Sequence, residues 1–70
     1  MSEEIVKQLA LKLADVSKEG LFITTVFRHL DSDKKRQQML EFISNGEKRL
    51  TKSDIYVKDM QINGKIDENI

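Results

Sequence analysis

His29, Asp31 and Asp33 are as close as this 70-residue chain comes to a set of metal ligands or acid–base groups. His29 is the only imidazole and Cys is absent, so neither a Cys/His zinc set nor a Cys–His nucleophile can be assembled. Asp31 stands two residues from His29, which gives no helical metal pair and no calcium loop, and Asp31 is better used as a helix cap. Gly20, Gly46 and Gly64 are too scattered to build a phosphate-cradling loop. Catalysis needs a positioned acid, base or nucleophile in a pocket that excludes water, and these residues do not supply one. The sequence therefore predicts no enzyme, no cofactor, no metal and no small-molecule substrate. His29 is expected to be half exposed at a helix end, where a cation or donor is favoured.

Arg28, Lys34, Lys35, Arg36, Gln37 and Gln38, with His29 among them, carry the other chemistry worth weighing. Phe22–Leu30, a tight turn at Asp31 and Ser32, and a helix opening with Lys34 to Gln38 imitate a helix-turn-helix, whose second helix enters the major groove. Arg and Lys would take phosphates or guanine, and Gln could read adenine. Against this, the turn has no Gly and the net charge is zero, and a short basic run is most often a solvated face. A second stretch, Leu50, Thr51, Asp54, Ile55, Met60 and Ile62, resembles the reading unit of bacterial repressors. Its register is displaced by one residue, however, and Tyr56 stands where such units hold a small side chain.

Protein recognition is the broader alternative and the leading one. Leu11, Tyr56, Val57, Met60 and Ile62 are more apolar side chains than one thin core can take. Tyr56 and Met60 stand four apart on one helical face, and Tyr and Met are common at interfaces. The expected partner is another protein or a second copy of the chain, with nucleic acid as the alternative.

Four elements must position these groups. Ile5, Val6, Leu9, Ala10, Leu13, Ala14 and Val16 fill about half a helical wheel, with Ser2 as N-cap and Gly20 as the closing residue. Leu11 falls outside that stripe. Phe22, Val26 and Leu30 recur at four, as do Ile23 and Phe27, which predicts a short buried helix although the β-branched centre alone favours a strand. Asp31, Ser32 and Asp33 offer caps for a third helix with an apolar face of Met39, Leu40, Phe42 and Ile43, ending at Asn45 and Gly46. Lys34, Lys35 and Arg36 have the wrong sign for its first turn. Thr51 with Asp54 makes a capping box, with Leu50 stapled to Ile55, for a helix from about Lys52 to Gln61. Asn63 and Gly64 also fit a hairpin turn between short strands, but Gly64 as a helix stop is preferred. The tail from Lys65 to Ile70 is short, polar and expected to fray.

Length and composition set the frame. A chain this short holds one domain, residues 1–70, and one core, here with only four aromatic side chains and no Trp. The absence of Cys removes disulfides, and with the acidic N-terminus it points to the cytosol. No apolar run approaches a membrane span. Lys and Arg balance Asp and Glu overall, with a basic surplus in residues 28–52 and mildly acidic ends. Abundant Lys, Ile and Asn in a short chain suit a bacterial or phage accessory protein. The fold class expected is all-α, a compact bundle of three to four short helices around a single small core. The function expected is that of a non-enzymatic regulatory or adaptor protein, with homodimerisation as part of that reading.

Zinc or calcium should leave the melting temperature unchanged, because a native-state site well above its dissociation constant would add a few kcal/mol of stability. A reproducible upward shift, lost on His29→Ala, would contradict that expectation.

Overall fold

In the computed structural model, which describes residues 2–46 and 49–64, the chain forms four helices and, among those residues, no strand. They are α1 (Ser2–Val16), α2 (Gly20–His29), α3 (Asp33–Ser44) and α4 (Lys52–Ile62). None is long and apolar enough to cross a membrane. The most extensive packing joins α1 to α3, and α4 rests against both α2 and α3.

The spacing of apolar residues explains the core. Leu9 and Leu13 of α1, Phe22 and Val26 of α2, Leu30 in the turn, Met39 of α3 and Ile55 of α4 are all buried and form one cluster. The four-residue recurrence of Phe22, Val26 and Leu30 thus prevails over the strand preference of the Thr24–Val26 centre. Propensity is a weak prior once an apolar face can be buried. Val16, Ile23, Phe27, Leu40, Phe42, Ile43 and Leu50 pack partly buried around this cluster. Leu11 is 59% exposed, outside the α1 stripe as the pattern required.

Two of the caps follow the sequence closely. The Ser32 hydroxyl accepts the Lys35 N–H, and Thr51 and Asp54 close a reciprocal capping box. In that box the Thr51 N–H donates to Asp54 Oδ2 at 2.9 Å. Gly64, at φ 72°, stops α4 in the left-handed conformation, so the hairpin alternative is replaced by a helix through Ile62. Residues 65–70, on which the frayed tail was placed, lie outside the described residues.

Three expectations need correction. Ser2 lies within α1 and is not its N-cap. Gly20 does not close α1: that helix ends at Val16, the Ser17 hydroxyl accepts the Glu19 N–H at 3.2 Å, and Gly20 opens α2 without a positive φ. A hydroxyl-stabilised turn has taken the role assigned to glycine. Asp31 is not the cap of α3. Ser32 fills that position, and Asp31 is engaged one turn ahead by Lys35.

A 70-residue domain holds a stability of order 0.05–0.15 kcal/mol per residue. Truncating a fully packed aromatic costs about 3–5 kcal/mol. Phe22→Ala is therefore expected to remove a large share of the stability, while Thr51→Ala should cost about 1 kcal/mol through the lost cap. Urea denaturation followed by circular dichroism measures both.

Candidate functional site

Three contacts set α2 against α4, and they occur in the same order along both helices. Just ahead of α2, Glu19 pairs with Lys52 at 2.5 Å. One turn on, the Phe22 and Tyr56 rings meet edge to face, with centroids 5.5 Å apart and planes at 87°. At the far end, His29 Nδ1 lies 2.5 Å from Asp59 Oδ2. The two helices therefore lie side by side and run in the same direction.

Asp59 is the buried charge of this junction, 2% exposed. Besides His29, it receives the Asn63 amide, which donates to Oδ1 at 2.7 Å and to the Asp59 carbonyl at 2.9 Å. An ionised carboxylate only accepts, so in that state of Asp59 the contact is donated by His29 Nδ1–H. His29 is indeed about half exposed at a helix end, but its partner thirty residues away was not foreseen. A signal for it exists in the sequence. Asp59 falls four residues after Ile55 and three before Ile62, so a helix that buries those two turns Asp59 inward as well. An inward carboxylate requires a donor, and the chain has one imidazole. The depression over the pair, about 410 Å³, is lined by Arg28, His29, Asp31, Asp59, Met60 and Asn63. No hydroxyl or thiol side chain is among its lining residues. Among the described residues no cluster of three or more His, Asp or Glu could hold a metal ion.

The same geometry sorts the apolar residues of α4. Ile55 is buried, and Tyr56 and Ile62 pack partly buried against the core. Val57 and Met60 stay 44% and 38% exposed. Tyr56 and Met60, grouped by their spacing, are thus divided: Tyr56 leans on Phe22 and Met60 faces solvent. On α2, Leu21 is 84% exposed, the most open of the large apolar side chains among the described residues. Leu21 and Arg28 are two turns apart on one stripe of α2, and Val57 and Met60 share a stripe of α4. Arg28 and Met60 line one depression, so α2 and α4 present these two residues together at that end. Sequence pattern alone did not single out Leu21. Leu11 lies apart, on α1.

The basic constellation is largely occupied. Lys35 pairs with Asp31 and Arg36 with Asp33, each at 3.2 Å, and Gln37 donates to Glu41 at 3.2 Å. The wrong-signed first turn of α3 is thereby compensated by carboxylates one turn away. The Lys35 hydrogen bond and charge hold the Asp31 carboxyl below the usual carboxylate range, and Glu19 raises Lys52 in the same way. What the first pair contributes is lost on acidification and what the second contributes is lost in strong alkali. Contact with water keeps both small. Arg36 Nε is buried without a partner among the described residues. Lys34, Gln37 and Gln38 are exposed, and Arg28 and Lys34 form no ion pair with a described residue.

A wider groove of about 670 Å³ lies between α3 and α4, lined by residues that include Gln38, Glu41, Phe42, Lys58 and Ile62. The Lys58 ammonium sits over the Phe42 ring, 5.4 Å from its centroid.

Asp59→Ala is expected to cost about 1–3 kcal/mol of stability, since it strips the acceptor from both His29 and Asn63. His29→Ala leaves the carboxylate buried with Asn63 alone and should also destabilise, less so because the imidazole is half exposed. Chemical denaturation of the two variants and the double variant yields their coupling.

Comparison of the chain with protein-family models, curated proteins and solved structures gives no match, so the roles of these residues rest on their geometry.

Proposed function

We propose that this protein is a non-enzymatic helical regulator or adaptor that acts by binding another protein, or a second copy of itself, through the α2/α4 face. The observation that carries the proposal is the exposure of Leu21 on α2 and of Val57 and Met60 on α4, two helices joined by the Phe22–Tyr56 and His29–Asp59 contacts. Single exposed apolar residues are ordinary on any protein surface. Three on two joined helices, with a half-buried Tyr on one of them, have the composition of an interface centre. Tyr56 and Ile62 pack partly buried against the core, and Leu11 is exposed on α1. A cytosolic setting belongs to the proposal on the ground that the chain has no Cys, and a bacterial or phage source suits its composition.

DNA binding by the unit of α2, its short turn and α3 is the second reading. It is supported by the three-residue connection and by Arg28 and Lys34, which have no ion pair with a described residue. It is weakened by the carboxylates that already hold Lys35 and Arg36.

The triple variant Leu21→Ala, Val57→Ala, Met60→Ala should weaken association by about 1 kcal/mol or more, as truncation of interface anchors does. Its stability should change by far less than that of a core variant, and Leu11→Ala should change neither. Sedimentation equilibrium measures self-association. Retention of a partner from host extract by wild type and variant measures the heterologous case, with thermal melts as the check on folding. Unchanged association in the triple variant removes the case for this face. Sub-micromolar, salt-sensitive DNA binding lost in Arg28→Ala with Lys34→Ala reverses the order of the two readings.

A further inference from the structure

The chain contains two Asn–Gly steps, Asn45–Gly46 just after α3 and Asn63–Gly64 just after α4. An asparagine followed by glycine is prone to spontaneous deamidation, because glycine has no side chain to shield its own backbone nitrogen. That nitrogen loses its proton to solvent base and attacks the asparagine Cγ. A C–N bond forms, and the side-chain nitrogen leaves as ammonia. Water then opens the resulting succinimide at either carbonyl, giving aspartate or isoaspartate. Amide and water become carboxylate and ammonium, so no oxidant or cofactor takes part. We propose that Asn45 is a site of this modification in the folded protein, whereas Asn63 is protected from it by Asp59.

Backbone conformation does not separate the two sites: Asn45 lies at φ −94°, ψ −1° and Asn63 at φ −89°, ψ 5°. Their hydrogen bonds do. Asn45 is exposed and its side-chain amide bonds to no described residue. The Gly46 N–H donates to the Ile43 carbonyl at 3.4 Å, a long contact. Asn63 is half-buried, and its amide donates to Asp59 Oδ1 at 2.7 Å and to the Asp59 carbonyl at 2.9 Å. Those two bonds hold the amide back along α4, while the Gly64 N–H donates to the Gln61 carbonyl at 3.1 Å. Cyclisation at Asn63 must therefore release an amide bound to a carboxylate, and at Asn45 it need not.

The two products also differ in what they disturb. A carboxylate at position 45 adds a negative charge to the α3/α4 groove, which Asn45 lines together with Lys58, and leaves the buried core untouched. At position 63 it removes a donor from the buried Asp59 and sets a second acceptor against it.

The test holds the native protein in mildly alkaline buffer and follows conversion by peptide mapping with mass spectrometry, the two asparagines falling in different tryptic peptides. Asn45 is expected to convert at least about tenfold faster than Asn63, since the latter must first break its hydrogen bonds. In guanidinium, where both steps are unfolded, the two rates should converge. Asp59→Ala should speed Asn63 severalfold and leave Asn45 unchanged. Asn63→Asp should lower the melting temperature, and Asn45→Asp should shift it far less. Equal native rates overturn the proposal, as does a difference that persists in guanidinium, because its cause is then local sequence. So does a native protein in which neither asparagine converts while the denatured chain does, since Asn45 is then closed. A folded Asp59→Ala variant with an unchanged rate at Asn63 removes the protecting role of Asp59. If that variant does not fold, the native and denatured rates at Asn63 in the wild type are compared, and a ratio near one overturns the protection.

Discussion

A carboxylate taken out of water must be met by donors, and Asp59 is where this chain accepts that obligation. Its two partners come from different places: Asn63 from one turn further along α4, and His29 from the end of α2. The first is nearly free, because it is local. The second favours one height and rotation of α4 against α2, since a small shift that keeps the carboxylate buried but takes it from its donor costs several kcal/mol. Once that rotation is set, Ile55 points into the core, Tyr56 reaches Phe22, and Val57 and Met60 have only solvent to face. The exposed stripe follows from the buried charge.

The core alone could not have imposed this arrangement. Its fully buried members are drawn mostly from α1 and α2, and α4 contributes only Ile55 to them. A helix held by one buried Ile and two half-buried neighbours can roll with little loss of apolar contact, because hydrophobic burial has no direction. Polar contacts do have direction. The Thr51–Asp54 box sets where α4 begins, the Glu19–Lys52 pair brings that end to the start of α2, and the His29–Asp59 pair anchors the other end. The surface pair at Lys52 adds little energy, being open to water, yet it agrees in register with the stronger contacts at Phe22 and Asp59.

What the sequence revealed and what it withheld divide along the same line. Helix positions are local facts. The four-residue return of Phe22, Val26 and Leu30, the hydroxyl of Ser32 and the Thr51–Asp54 spacing each act within a turn or two, and each was readable. Gly20 was misread because glycine serves at either end of a helix, and only the Ser17 turn decides which. Asp31 was misread because two adjacent residues could cap α3 and Lys35 engaged one of them. The exposure of Leu21 and the division between Tyr56 and Met60 depend on how α2 and α4 dock. A wheel drawn for one helix cannot supply that angle, although the inward carboxylate of Asp59 was a usable clue to it.

The same docking gives the proposed recognition role its surface. The His29–Asp59 pair, whose carboxylate is shared with Asn63, joins α2 to α4. A joined pair of helices with an apolar seam is incomplete in a particular sense. Anything that covers Leu21, Val57 and Met60 extends the core across the seam and adds to the same contacts that hold α4 in place. Binding there and the stability of the α2/α4 pair are thermodynamically linked, because an occupant that needs both stripes at once binds only the docked arrangement and so favours it by mass action.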